Sequence, residues 1–366
     1  MKLSEKERYL FWLGVANGPG AARSRKLLEA FGDDPKAVFE AAARGDLHEH
    51  MKGDVAELMK KRASERYIER CLKRLEELDV SAATIASRAY PELLKEIYDP
   101  PVVLYYRGTL YPQLRLPVAM VGTREPSEYG RRAAVELARA LAESGVCVVS
   151  GLAYGIDRAA AEGALEAKDS AYPTIAVLGS GPDVVYPEAN RDVYEKVVAR
   201  GAVVSEYMPG TEPKAMHFPM RNRIISGLAR GVVVVEAGEK SGALITADCA
   251  LEQGRDAFAV PGRLTDLKSA GTNALIRSGM AKLVQSAADI LEEYGIVKRK
   301  EEKPGVDTGT LCFEEELVYR LLVPGERSFD ELCELSGLSA ALLNSTLTSL
   351  EFSGIIKQSP GRLFSL

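Results

Sequence analysis

The chain is 366 residues long, 46% apolar and 27% charged, with a formal net charge of −5. That balance excludes a disordered, collagenous or membrane-spanning chain, and the length allows two or three globular domains. No apolar run is long enough to cross a bilayer, and the charged start (Lys2, Glu5, Lys6, Glu7, Arg8) is unlike a secretory signal. The five cysteines are scattered with no CxxC pair, and none of the three histidines stands at metal-ligand spacing with a cysteine. Reduced core cysteines, a cytoplasmic location and no metal or cofactor are therefore expected.

Residues 1–80 have the pattern of a helical domain, with apolar positions at helical spacing over 5–13, 21–31, 35–44 and 55–78. Between the first two helices lies Gly14-Val15-Ala16-Asn17-Gly18-Pro19-Gly20. Followed by Arg23, Arg25 and Lys26, it reads either as a helix-hairpin-helix turn that would bind a DNA backbone or as a plain turn in a small bundle. A connecting segment containing Tyr90, Pro91 and the run 102–106 follows.

Residues 81–297 are expected to form one domain, within which 115–294 alternate strand and helix. Continuous β-rich runs at 118–121, 146–149, 174–178, 202–204, 232–235 and 257–260, with a short one at 282–284, are what strands buried on both faces require. Amphipathic stretches at 129–143 and 157–167 lie between them. The expected fold is α/β, a Rossmann-like doubly wound parallel sheet.

Residues 298–310 form a charged linker ending at Pro304-Gly305. From 311 to 366, three helices (314–322, one capped near Ser328, and 339–353) and a closing hairpin give a winged-helix order. Residues 305–366 hold nine acids against Arg320, Arg327, Lys357 and Arg362, which is the whole charge deficit, so the preceding residues are neutral overall. The third helix lacks lysine and arginine, so this domain is a poor duplex reader and a protein-contact role is expected.

In an open α/β sheet, ligands bind beyond the carboxyl ends of the strands. Those ends carry Gly122-Thr123-Arg124, Ser150-Gly151 with Tyr154 and Asp157, Gly179-Ser180-Gly181, Glu206, Glu236, and Lys240-Ser241-Gly242. Glycines and small hydroxyls there leave room for a ligand to reach backbone amides. The stretch from His217 to Gly227 adds Phe218, Pro219, Arg221, Asn222 and Arg223 at a helix start, where an anion between the arginines is favourable. Its competing reading pairs Arg221 and Arg223 with acids such as Glu206 and Glu236. The P-loop and GxGxxG signatures are absent, and His217 is the only histidine of this region. Asp157 and Glu236 are expected to hold Arg124 and Arg221 in place, so the site binds without turnover.

Residues 118–124 (VAMVGTR), 150–165 (SGLAYGIDRAAAEGAL), 176–191 (AVLGSGPDVVYPEANR), 218–228 (FPMRNRIISGL), 241–247 (SGALITA), 252–262 (EQGRDAFAVPG) and 271–279 (GTNALIRSG) together resemble the DNA-processing protein A family, DprA or Smf. The resemblance covers about 85–290, and the flanking helical (SAM-like or helix-hairpin-helix-like) and winged-helix units agree with it. It implies a non-enzymatic, dimeric binder of single-stranded DNA. That binder would help load RecA recombinase onto DNA coated by single-strand-binding protein during natural transformation. It further implies that Arg124 grips a phosphate, that Ser150, Gly151, Gly242 and the 218–223 helix start complete the pocket, and that Lys214 and Phe218 contact backbone and base. Three positions depart from the pattern: Tyr154 where arginine is frequent, Ala161 where histidine is common, and Met220 where a basic residue is frequent. The alternative is a nucleoside-monophosphate phosphoribohydrolase related to LOG proteins, which carry PGGxGTxxE at the fifth strand, where this chain has Glu236 to Leu244. A third reading is an interaction scaffold centred on the acidic C-terminal unit.

Overall fold

The computed structural model describes residues 3–296 except Pro19, and 311–365 except Pro324 and Pro360. Two compact units divide the chain, Met1–Val297 and Lys298–Leu366. The charged linker expected at 298–310 lies outside the described residues.

The first unit opens with helices α1 (Glu5–Asn17), α2 (Ala21–Ala30), α3 (Pro35–Arg44), α4 (Gly53–Arg62) and α5 (Glu65–Glu77). The single helix expected over 55–78 is two, because extended Ser64 accepts the Tyr67 amide and caps a new start. Trp12, Leu13, Leu27, Val38, Met59 and Ile68 close a core between the helices. Helix α1 runs on through Gly14, where a Cβ would strike Val103, so glycine lets the helix lie close against the sheet. The turn around Gly18 and Gly20 faces Pro101, Val103, Tyr105 and Glu206. Of these glycines packing claims Gly14, whereas Gly18 sits at φ 70° where a Cβ would meet nothing within 4 Å.

The sheet is built from β1 (Ser81–Thr84), β2 (Val103–Gly108), β3 (Pro117–Val121), β4 (Cys147–Ser150), β5 (Thr174–Val177), β6 (Ala202–Ser205), β7 (Gly231–Val234), β8 (Asp256–Ala259) and β9 (Lys282–Leu283). Strand order is β1-β2-β6-β5-β4-β3-β7-β8-β9, parallel from β6 onward. Strands β1 and β2 arise from the segment expected to be a connector, and they join antiparallel at the β6 edge. Their side chains Ala82, Val103 and Tyr105 pack into the helical core.

Helix α6 (Glu92–Lys95) precedes β2, and α7 (Glu128–Glu143), α8 (Ile156–Glu166), α9 (Arg191–Arg200), α10 (His217–Gly227), α11 (Gly242–Glu252), α12 (Ala270–Arg277) and α13 (Ala287–Glu293) connect or follow the later strands. Alternate residues of β3 feed opposite faces. Val118 and Met120 pack with Leu137, Leu141 and Ala160, while Ala119 and Val121 pack with Ile224, Ile225 and Ala247. Both faces are covered, so the strands read as uninterrupted apolar runs.

The second unit contains α14 (Phe313–Leu322), β10 (Arg327–Ser328), α15 (Phe329–Ser336), α16 (Ala340–Phe352), β11 (Lys357–Ser359) and β12 (Leu363–Ser365), the strands ordered β10-β12-β11. Ser328 and Glu331 form the capping box that starts α15, as expected from the sequence. Among the described residues, no helix is long and apolar enough to cross a membrane.

Candidate functional site

Successive strands β3 to β6 step outward in one direction, and the chain then returns to place β7 on the other side of β3. The carboxyl ends of β3 and β7 therefore flank a topological switch point, where loops diverge and leave a crevice. A cleft of about 660 Å³ opens there, lined by residues 121–125 after β3, Ala153 and Asp157 after β4, Tyr186, the start of α10 and the start of α11.

Arg221 forms the floor. It is 4% exposed, and its Nη1 donates to the Gly151 carbonyl at 2.8 Å and to the Val177 carbonyl. Burial lowers its pKa to about 10, against the opposing pull of Asp157. Its Nε has no hydrogen-bond partner among the described residues. Gly151 must be glycine, since a Cβ would overlap this guanidinium. Asp157 accepts the Gly151 and Ala153 amides through Oδ2 at 3.1 and 3.5 Å, and burial raises its pKa while Arg221 pulls it back.

Arg124 stands at the mouth. Its guanidinium lies 5.4 Å from the Phe218 ring centroid, and the Tyr186 ring packs on Phe218 at 5.6 Å. Among the described residues no carboxylate comes within ion-pair distance of Arg124. Helix α10 begins without a side-chain cap; its His217 amide donates to the Lys214 carbonyl at 2.9 Å and Pro219 has no N–H, so Phe218 carries the next amide of this start that faces the cleft, where the helix dipole favours an anion. Helix α11 is capped by Ser241, whose Oγ accepts the Ala243 amide, and Asn222 donates to the Gly242 carbonyl at 3.4 Å to tie the two helix starts together. A Cβ at Gly242 would meet nothing within 4 Å, so this glycine is not required by packing.

Eight of the residues singled out in the sequence line this cleft: Gly122, Thr123, Arg124, Phe218, Arg221, Asn222, Ser241 and Gly242. The others are placed differently. Arg223 points away, its Nε 3.0 Å from Asp99 and its Nη2 2.6 Å from Glu206, so for this residue the ion-pair reading is the correct one. Ser150 is fully buried and turned inward, its Oγ donating to the Asp157 carbonyl and accepting the Leu152 amide. Gly151 lies beneath Arg221, with its amide already used by Asp157. Among the described residues Glu236 holds no arginine. It accepts the Ser127 amide and hydroxyl at 2.7 and 2.5 Å and so fixes the start of α7. Lys214 and Lys240 are exposed beside the lining segments, and Tyr154 faces an adjoining hollow. His217 is a core residue, bonded to the Gly179 carbonyl and stacked on Tyr207. The platform residue Tyr186 belongs to the segment Tyr186–Arg191 that the sequence places beyond the third strand, where an aromatic beside proline gives no sign of a ligand role.

A family model for DNA recombination-mediator protein A matches residues 81–295, and one for the DprA winged helix domain matches 313–362. The chain is 47% identical over 212 residues to DNA processing protein DprA of Streptococcus pneumoniae, covering 58% of this chain and 73% of that protein. It is 44% identical to the Bacillus subtilis counterpart over 226 residues, 61% and 74% of the two chains. The solved structure of the pneumococcal protein matches with a TM-score of 0.68 at 37% identity over 80% of this chain and 99% of that one. DNA processing protein A from Helicobacter pylori, described for its single-stranded DNA binding mode, matches with a TM-score of 0.52 at 30% identity over 59% and 95%.

Proposed function

The chain belongs to the DNA recombination-mediator protein A family, and from that premise we propose that its cleft binds single-stranded DNA without cleaving it. The observation that carries this reading is the Arg124 guanidinium, without an ion-pair partner among the described residues, held over an aromatic platform at the mouth of a cleft onto which a helix start without a side-chain cap opens. A strand of unpaired nucleotides needs both a cation for phosphate and a flat apolar surface for the base. The site residues are Gly122, Thr123, Arg124, Phe218, Asn222, Ser241 and Gly242, supported from below by Arg221. Lys214 and Lys240 reach the backbone from the rim.

Support for binding over glycosidic cleavage comes from the acids. Of the carboxylates lining the cleft, Asp157 is engaged by two amides and Arg221, while Glu125 stands alone at the edge. The hydrolase reading needs a carboxylate poised at an anomeric carbon. Release of adenine from AMP by the purified protein would establish that reading instead. Loading of RecA onto DNA coated by single-strand-binding protein, a part in natural transformation, a homodimeric state and a cytoplasmic location complete the proposal.

Titration of labelled oligo-dT and of a duplex of equal length at two salt concentrations tests it. The single strand is expected to bind more tightly, with affinity falling as salt rises. Equal affinity for the duplex, or no salt dependence, overturns the proposal. Gly242→Ala should change stability by no more than about 0.5 kcal/mol, because the added methyl meets nothing. The same methyl stands where the DNA backbone would approach, so affinity should fall; unfolding curves and the titration together check both halves. Deleting residues 305–366 should leave oligo-dT affinity within about twofold, since α16 carries no lysine or arginine. A large loss would assign DNA contact to the winged-helix unit.

A further inference from the structure

Beside the cleft lies a second hollow of about 540 Å³, and Arg124 and Glu125 belong to the walls of both. Its remaining lining includes Tyr154, Arg131, Arg158 and Glu162. Two arginines suggest a second phosphate site, but their charges are already engaged. Arg131 bonds to Glu128, with Nη2 at 3.0 Å. Arg158 is satisfied through Glu162 at 2.8 Å, Asp192 at 3.0 Å, the Ala189 carbonyl at 2.6 Å and Asn190 at 3.0 Å. With Glu125 and Glu162 on its walls, the hollow offers a phosphate, among the described residues, no unpaired cation except Arg124 on the shared ridge. It suits an uncharged planar group attached to a phosphate on that ridge.

Tyr154 supplies the flat surface. It is 49% exposed, and no ring, cation or hydrogen-bond partner engages it among the described residues. The backbone around it is pinned. Asp157 takes the Gly151 and Ala153 amides, Asn190 donates to the Leu152 and Ala153 carbonyls at 2.9 and 3.1 Å, and Leu152 sits at φ 51° in the left-handed region. A ring on a fixed loop loses little freedom when a base stacks on it.

We infer that this hollow seats a second nucleobase on Tyr154, so that the smallest unit the protein grips is a dinucleotide straddling Arg124, with one base on Phe218 and the next on Tyr154. The inference rests on the single-strand reading above. It makes Tyr154 a determinant of footprint rather than of charge.

The test uses the full chain in competition against labelled oligo-dT at low salt. The competitors are pdTpdT and two analogues carrying an abasic tetrahydrofuran at the 5′ or the 3′ nucleotide. For the parent, loss of either base should weaken binding about fivefold or more. Tyr154→Ala should weaken pdTpdT to a similar degree and make one abasic position silent. Phe218→Ala should silence the other, and Tyr154→Phe should stay within about twofold of the parent. The inference is overturned if Tyr154→Ala binds pdTpdT like the parent, or if both abasic penalties persist in it unchanged. Failure of the underlying reading looks different: the parent then does not bind oligo-dT, or Arg124→Ala leaves that binding intact.

Discussion

Arg124→Ala is expected to weaken oligo-dT binding at least tenfold while leaving the unfolding transition unmoved. A hydrogen bond to a charged group contributes about 1.5–3 kcal/mol, which corresponds to roughly tenfold or more in affinity. The side chain is exposed and makes no ion pair among the described residues, so its removal exposes no buried partner. Loss of one phosphate contact should also lower the slope of log affinity against log salt by about 0.7 for a single strand. Arg124→Lys should restore part of the affinity, because a point charge remains but the planar fork that lies over Phe218 is gone. Parent-like binding by Arg124→Ala at matched salt would remove the cleft from consideration.

Arg223→Ala should give the opposite pattern, a loss of about 3–5 kcal/mol in stability with no direct loss of a DNA contact. The Glu206 side chain is 3% exposed and Arg223 12%, so truncating the arginine strands a carboxylate in the interior. Arg223 also bonds Asp99, next to Tyr98, and Tyr98 lies under Arg25 of α2 at 3.9 Å from its ring centroid. The residue thus ties α10 to the helical region. If the alanine variant fails to fold, the pair Arg223→Met with Glu206→Leu settles the matter, because removing both charges relieves the cost of the lone carboxylate. Thermal unfolding should show the double variant recovering most of the loss. If the double variant is no more stable than Arg223→Ala, the buried charge is not what the single change disturbs.

The parallel strands were legible because burial on both faces demands long β-rich runs, as at 118–121 and 232–235. The antiparallel pair β1 and β2 was not, since four to six residues beside Pro100-Pro101 look like an extended connector until a sheet edge is there to receive them. Arg221 and Arg223 had looked equivalent, yet residues two apart on a helix point to different sides, and only one could face the cleft. Ser150 misled for another reason. A strand-end serine can serve a ligand or its own loop, and the nearby Asp157 backbone decides for the loop. Tyr186 meets Phe218 only after the loop following β5 folds back over α10, a long-range event with no local pattern.

The sharing of Ala82, Val103 and Tyr105 between sheet edge and N-terminal helices has a practical outcome. A fragment trimmed to begin near residue 81 would keep every cleft residue but present a naked greasy flank on its outermost strands, an invitation to self-association. Shortened versions of this protein should retain residues 1–80, or carry polar replacements at those three positions.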